Sequence, residues 1–137
     1  MNQDGKVKYS FTASERLKHR KLIETLFRNG EAFSVFPFKV VYSITDKSCS
    51  DTVFVKMGCA VPKRNKKHAV DRNRIKRRVK EAWRLQKHQL YKDITEDKEL
   101  HLFFIFIGKE LPDFNLTATT VAKAIHRLQS ILIKKST

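Results

Sequence analysis

Acidic side chains are scarce in this chain: 14 Asp and Glu face 29 Lys and Arg, leaving a net charge of +15 over 137 residues and a pI near 10.1. That imbalance argues against basic partners and points to a polyanion. Cysteine is almost absent. Cys49 and Cys59 lack zinc-type spacing, and the five histidines (His19, His68, His88, His101 and His126) are scattered away from them, so no metal site is expected. Two unmatched cysteines fit a reducing compartment. The opening MNQDGKVKYS has no apolar stretch of the kind a signal peptide needs, and no apolar run approaches the roughly 18 residues that would span a bilayer. The expected location is the cytoplasm, with no membrane partner. Four glycines are few, and no G-x-x-x-x-G-K-[ST] loop is among them; H-E-x-x-H and G-x-S-x-G are missing too. Asp46, Asp51, Glu96, Asp97 and Glu99 fall in expected turns or strand edges and read as solvated charges. His68 has no orienting carboxylate nearby in sequence and makes a poor general base. Neither catalytic residues nor a small-molecule cofactor are expected in the protein itself.

What is present suits one domain over 1–137, with mobile ends at 1–9 and 134–137. Thr12-Ala-Ser-Glu15 has the form of a capping box, predicting a helix from there to Asn29 with Gly30 as its stop; Leu22, Ile23, Leu26 and Phe27 share one face. From Phe38 the period changes to two, with Phe38, Val40, Tyr42 and Ile44 on one side of a strand. A polar turn follows over Asp46–Asp51, then a second strand over Val53–Val61, ended by Pro62. Leu100–Ile107 (LHLFFIFI) is apolar at nearly every position, as in a strand covered on both faces. Val121, Ile125, Leu128 and Leu132 mark a last helix. The expected fold is α+β, a small mixed β-sheet packed with three helices in the order α-β-β-(β)-α-β-α.

Between Pro62 and His88 lie twelve Lys or Arg against Asp71 and Glu81, so two thirds of the net charge sits in one fifth of the chain. On a helical wheel Ile75, Val79, Ala82 and Trp83 form an apolar stripe. Asn73, Lys76, Arg77, Lys80, Arg84 and Lys87 fill the sector beside it, and Arg74 and Arg78 extend the charge on the other flank. Like charges so close repel by a few tenths of a kcal/mol per pair, roughly, in an isolated helix. Arginine forks match phosphate oxygens, and Asn73 can donate and accept toward a ribose hydroxyl or base edge. A nucleic-acid backbone suits this row better than plain solvent does.

The run Ala69-Val-Asp-Arg-Asn-Arg-Ile-Lys-Arg-Arg78, with Arg72-Asn73-Arg74 as an RNR motif, resembles the protein subunit of bacterial ribonuclease P. So do Met57-Gly58-Cys59-Ala60-Val61-Pro62-Lys63-Arg64, Arg16-Leu17 and Phe27-Arg28-Asn29-Gly30, and the resemblance extends from about residue 11 to 132. It implies a protein cofactor for a catalytic RNA that, with Mg²⁺, hydrolyses the bond joining the 5′ leader to precursor tRNA. It implies a left-handed crossover through the RNR helix. By motif match it assigns Arg72, Asn73, Arg74, Lys76, Arg77, Lys80 and Arg84 to the catalytic RNA. It assigns Ile23, Phe27, Phe38, Val40, Tyr42 and Lys63 to a cleft for the single-stranded leader. Ile23 stands where relatives often carry Phe, and Lys80 where they often carry Arg.

From the residues alone, Phe38 and Tyr42 are either a stacking platform for unpaired bases or members of the core. Two other function classes stay open at this point. One is a ribosomal or general structured-RNA-binding protein with no part in cleavage; the other is a protein nuclease, which lacks a visible site.

Overall fold

The computed structural model describes residues 11–12, 15–46, 55–94 and 98–136. The expectations for residues 1–9, the turn over 47–51, Cys49, Asp51, Glu96 and Asp97 lie outside them. In chain order the elements are α1 (Arg20–Asn29), β1 (Glu31–Val35), β2 (Phe38–Asp46), β3 (Val55–Ala60), α2 (Ala69–Gln86), α3 (His88–Tyr91), β4 (Lys98–Phe106) and α4 (Phe114–Ser136). The short α3 had no periodic signal of its own.

The strands form one sheet in the order β1-β2-β4-β3. β1 and β2 make a hairpin, β2 and β4 pair antiparallel from Phe38↔Phe106 to Asp46↔Lys98, and β3 lies parallel to β4, joined to it through α2 and α3. Strand alternation then sorts side chains between two unequal faces. Phe38, Val40, Tyr42, Val55, Met57, Leu100, Leu102, Phe104 and Phe106 belong to the main core with Ile75, Val79, Ala82 and Trp83 of α2 and Val121, Ala124, Ile125 and Leu128 of α4. Trp83 meets Phe104 at 6.3 Å, and Phe38 meets Phe106 at 5.5 Å, both edge to face. Each such fully buried side chain contributes about 1.5–3 kcal/mol. Val41 and Phe103 point the other way, into a smaller cluster with Leu17 and Leu26, where α1 lies across the sheet.

The first helix begins later than expected. One capping-box contact forms, the Thr12 backbone N–H donating to Glu15 Oε1 at 3.0 Å; the Thr12 hydroxyl donates to the same oxygen at 3.1 Å and the Glu15 N–H to the Thr12 carbonyl at 3.1 Å. They close a single turn instead of opening a helix, because the next residues are claimed by β3. Arg16 bridges Met57, and the Leu17 N–H donates to Met57 O at 2.9 Å. α1 starts at Arg20 after this excursion. It ends at Gly30 as expected, the Gly30 N–H donating to Leu26 O at 2.8 Å. Gly30 has φ −81° and is extended. A Cβ there would lie 2.5 Å from the Leu26 carbonyl oxygen and 2.8 Å from that of Tyr42, so glycine permits the close turn from α1 into β1.

α4 begins where Asp113 accepts from the Leu116 backbone N–H at 2.8 Å, a side-chain cap on an otherwise unpaired donor. None of the described helices is long and apolar enough to cross a membrane.

Candidate nucleic-acid interface

α2 owes its orientation to its apolar stripe: Ile75, Val79, Ala82 and Trp83 are fully buried. The rest of its surface carries the charge, but its cations have separate fates. Arg72 Nη1 donates to the carbonyls of Lys66 at 3.0 Å and Lys67 at 2.6 Å, folding the preceding loop onto the helix. Arg78 Nη1 donates to Pro112 O at 2.5 Å, fixing the loop after β4. Those two loops meet where Asn65 Nδ2 donates to Gly108 O at 2.9 Å. Arg84 pairs with Glu81 at 2.7 Å, and its hydrogen bond holds the Glu81 carboxyl below the usual carboxylate range.

Lys87 departs furthest from the wheel, which placed it in the charged sector. It is 4% exposed and ion-paired to Glu15, with its ammonium over the rings of Phe11 and Tyr91. Burial would raise the Glu15 carboxyl, but hydrogen bonds from Lys87, from the Tyr91 hydroxyl at 2.6 Å and from the Thr12 N–H outweigh it and hold it low. Burial and the Glu15 charge push the Tyr91 phenol up.

The remaining cations of α2 face outward. Among the described residues Asn73, Arg74, Lys76, Arg77 and Lys80 have no side-chain partner within the protein, and Asn73, Arg74, Arg77 and Lys80 are exposed. Lys63, Arg64 and Lys67 continue this surface through the loop before the helix. Lys80 and Lys76 also reach toward β3. Burial pushes the Cys59 thiol up to about 11, against the opposing pull of these two ammonium groups. A thiol so raised is protonated at neutral pH and is no nucleophile.

The second surface is the thinly covered face of the sheet. Phe27, half exposed, stands edge to face on Phe103 at 5.3 Å. Ile23 packs beside it with Ala60 and Ile105. Phe103 can lie flat over β3 because position 58 has no side chain. A Cβ on Gly58 would come within 2.5 Å of the Phe103 ring and 2.8 Å of the Leu17 carbonyl. Lys39, exposed on β2, borders this shallow groove.

Of the six residues assigned to a cleft, the structure brings Ile23 and Phe27 together here and leaves Lys63 in the loop before α2. It corrects the other three. Phe38, Val40 and Tyr42 are 1%, 0% and 6% exposed and point to the opposite face, under α2 and α4. Val41 and Lys39 take their place, together with Phe103 and Ile105 of β4. The alternation in β2 held the signal. The resemblance assigns its more aromatic side to the groove, whereas the thicker of the two cores claims Phe38 and Tyr42.

Among the described residues no three His, Cys, Asp or Glu side chains come together as a metal site.

The sequence profile of the Ribonuclease P family matches residues 11–129. The chain is 35% identical to the ribonuclease P protein component of Porphyromonas gingivalis over 122 residues, covering 88% of this chain and 87% of that protein. It is 33% identical to that of Chlorobium phaeobacteroides over 131 residues, covering 88% of each. The fold matches the RNase P protein from Thermotoga maritima with a TM-score of 0.62 at 22% identity, over 82% of this chain and 96% of that one. The Staphylococcus aureus RNase P protein matches with a TM-score of 0.57 at 17% identity, over 83% and 94%.

Proposed function

Since this chain belongs to the ribonuclease P protein family, we propose that α2 and the loop before it seat the catalytic RNA of that enzyme while the α1 groove receives the 5′ leader of precursor tRNA. The chain is a protein subunit of an endoribonuclease holoenzyme that processes tRNA 5′ ends, and its partner is an RNA. The observation that carries the proposal is the split character of α2: one stripe is buried, and Asn73, Arg74, Lys76, Arg77 and Lys80 are left without protein partners. Arg74 and Arg77 offer forks to phosphate oxygens, Lys76 and Lys80 act as point charges, and Asn73 serves a ribose or base edge. Arg72 and Arg84 support the surface through the partners they already hold. In the groove, Phe27 and Ile23 present an apolar wall to unpaired bases, and Lys39 supplies charge at its border, while Lys63 adds to the charge of the loop before α2. A stacking wall tolerates any base, which suits leaders of variable sequence.

The protein contributes binding and charge neutralisation; Mg²⁺ enters with the RNA, and no residue of this chain takes part in breaking the bond. The test is cleavage of a precursor tRNA at low Mg²⁺ by a bacterial ribonuclease P RNA alone, by this protein alone and by both. The expected result is efficient leader release by the mixture alone. A protein that binds both RNAs yet adds nothing to cleavage would instead be a general RNA binder, and one that cuts unaided would overturn the assignment of the chemistry.

A further inference from the structure

A second groove, of about 750 Å³, opens on the far side of the sheet between β1 and α4. It follows α4 from Thr119 to Ile131, about 18 Å at 1.5 Å per residue. Lys123, His126 and Arg127 line it against one acid, Glu31. None of the large apolar side chains that the described residues expose belongs to it, so it lacks the anchors of a protein-docking surface. Arg127 is held in place by its guanidinium stacking over the Phe33 ring at 5.0 Å, which leaves the edge of the fork for an anion. Among the described residues neither Lys123 nor Arg127 has a carboxylate partner. Glu31 accepts the Tyr42 hydroxyl at 3.2 Å and keeps lone pairs for another hydroxyl.

This groove reaches the edge strand β1 at Ala32. Ala32 lines it and is also the partner of Val41, whose side chain belongs to the α1 side. Ala32 is exposed and small, so it adds no bulk to the β1 edge at this point.

We infer that the β1–α4 groove takes the upstream part of the 5′ leader as it leaves the α1 face, with Lys123 and Arg127 on two of its phosphates and Glu31 accepting from a ribose 2′-hydroxyl. The inference rests on the leader reading proposed above and extends the leader's track beyond the α1 groove.

The test uses holoenzyme reconstituted from the full chain and a bacterial ribonuclease P RNA. Two precursor tRNAs serve as probes, one with a leader that ends on the α1 face and one long enough to pass β1. Lys123→Ala with Arg127→Ala is expected to weaken the long-leader precursor about tenfold, the equivalent of one charge-assisted hydrogen bond, and to leave the short one unchanged. The log–log salt slope for the long leader should fall by about 1.4, at about 0.7 per single-strand phosphate contact. Ala122→Glu places a like charge in the groove without touching the Arg127–Phe33 stack, and should act in the same direction. Equal losses for both leaders, or none, would overturn the inference, as would a loss confined to catalytic-RNA affinity. Wild-type holoenzyme that fails to distinguish precursor from mature tRNA would sink the leader reading itself.

Discussion

The two faces of this sheet are built from the same strands and do opposite work. Beneath α2 and α4, Trp83, Phe38, Phe104 and Phe106 pack ring to ring with no solvent. Beneath α1, the cover is a ten-residue helix that leaves Phe27 half exposed and Lys39 in water. A thick layer can carry the stability of the fold, which frees the thin one to keep apolar and basic groups uncovered for a ligand. Aromatic content alone does not separate the two, since both faces hold phenylalanine; the depth of the covering layer does.

The contrast breaks most sharply under truncation on the thick side. Trp83→Ala should cost about 3–5 kcal/mol in urea denaturation, from lost burial and the cavity left behind. Glu15→Ala should cost a similar ~3–5 kcal/mol, because it removes the carboxylate paired with the buried Lys87 ammonium. The same pair predicts a pH dependence. Glu15 has a folded pKa below its ordinary 4.5, so its contribution is complete above that value and is lost as pH falls through the lower folded one. Wild type should lose stability in that acid window and Glu15→Gln should lose less; parallel profiles would remove Glu15 as the cause.

Gly58→Ala probes the thin side at its tightest point. The added methyl meets the Phe103 ring and the Leu17 carbonyl, and the expected cost is about 1–3 kcal/mol together with a weakened leader contact. Phe27→Ala should be the mildest for folding, about 1 kcal/mol or less, yet lower affinity for precursor over mature tRNA by roughly 1–3 kcal/mol, the worth of one stacked base. If Phe27→Ala destabilised as much as Trp83→Ala, the division of labour between the faces would be wrong.

Much of this was legible before any coordinates. The stripe Ile75, Val79, Ala82 and Trp83 is buried as its spacing required, and so is that of Val121, Ile125, Leu128 and Leu132. Period and apolarity are local properties, and long elements state them clearly. What escaped depended on non-local contacts. Nothing near Thr12 or Glu15 in sequence says that Met57 will capture Arg16 and Leu17, or that Lys87, 72 residues on, will draw in Glu15. Alternation in β2 separates Phe38, Val40 and Tyr42 from Lys39 and Val41 but does not say which set meets the heavier cover. The basic residues of α2 likewise look equivalent in one dimension, and only their carbonyl and carboxylate partners distinguish fasteners from free ends.

That distinction bears on how mutational maps of such a helix are read. Arg72 and Arg78 tie α2 to two loops that are themselves joined through Asn65 and Gly108, so these four links form a closed circuit around one end of the sheet. Cutting the circuit at Arg72 slackens the segment that displays Lys63, Arg64 and Lys67, several residues away from the deleted charge. A footprint drawn from lost affinity would then include the loss of this hold on the loop, whatever contact Arg72 makes itself. The motif's first arginine fastens the loop, and its neighbours Asn73 and Arg74 stay exposed.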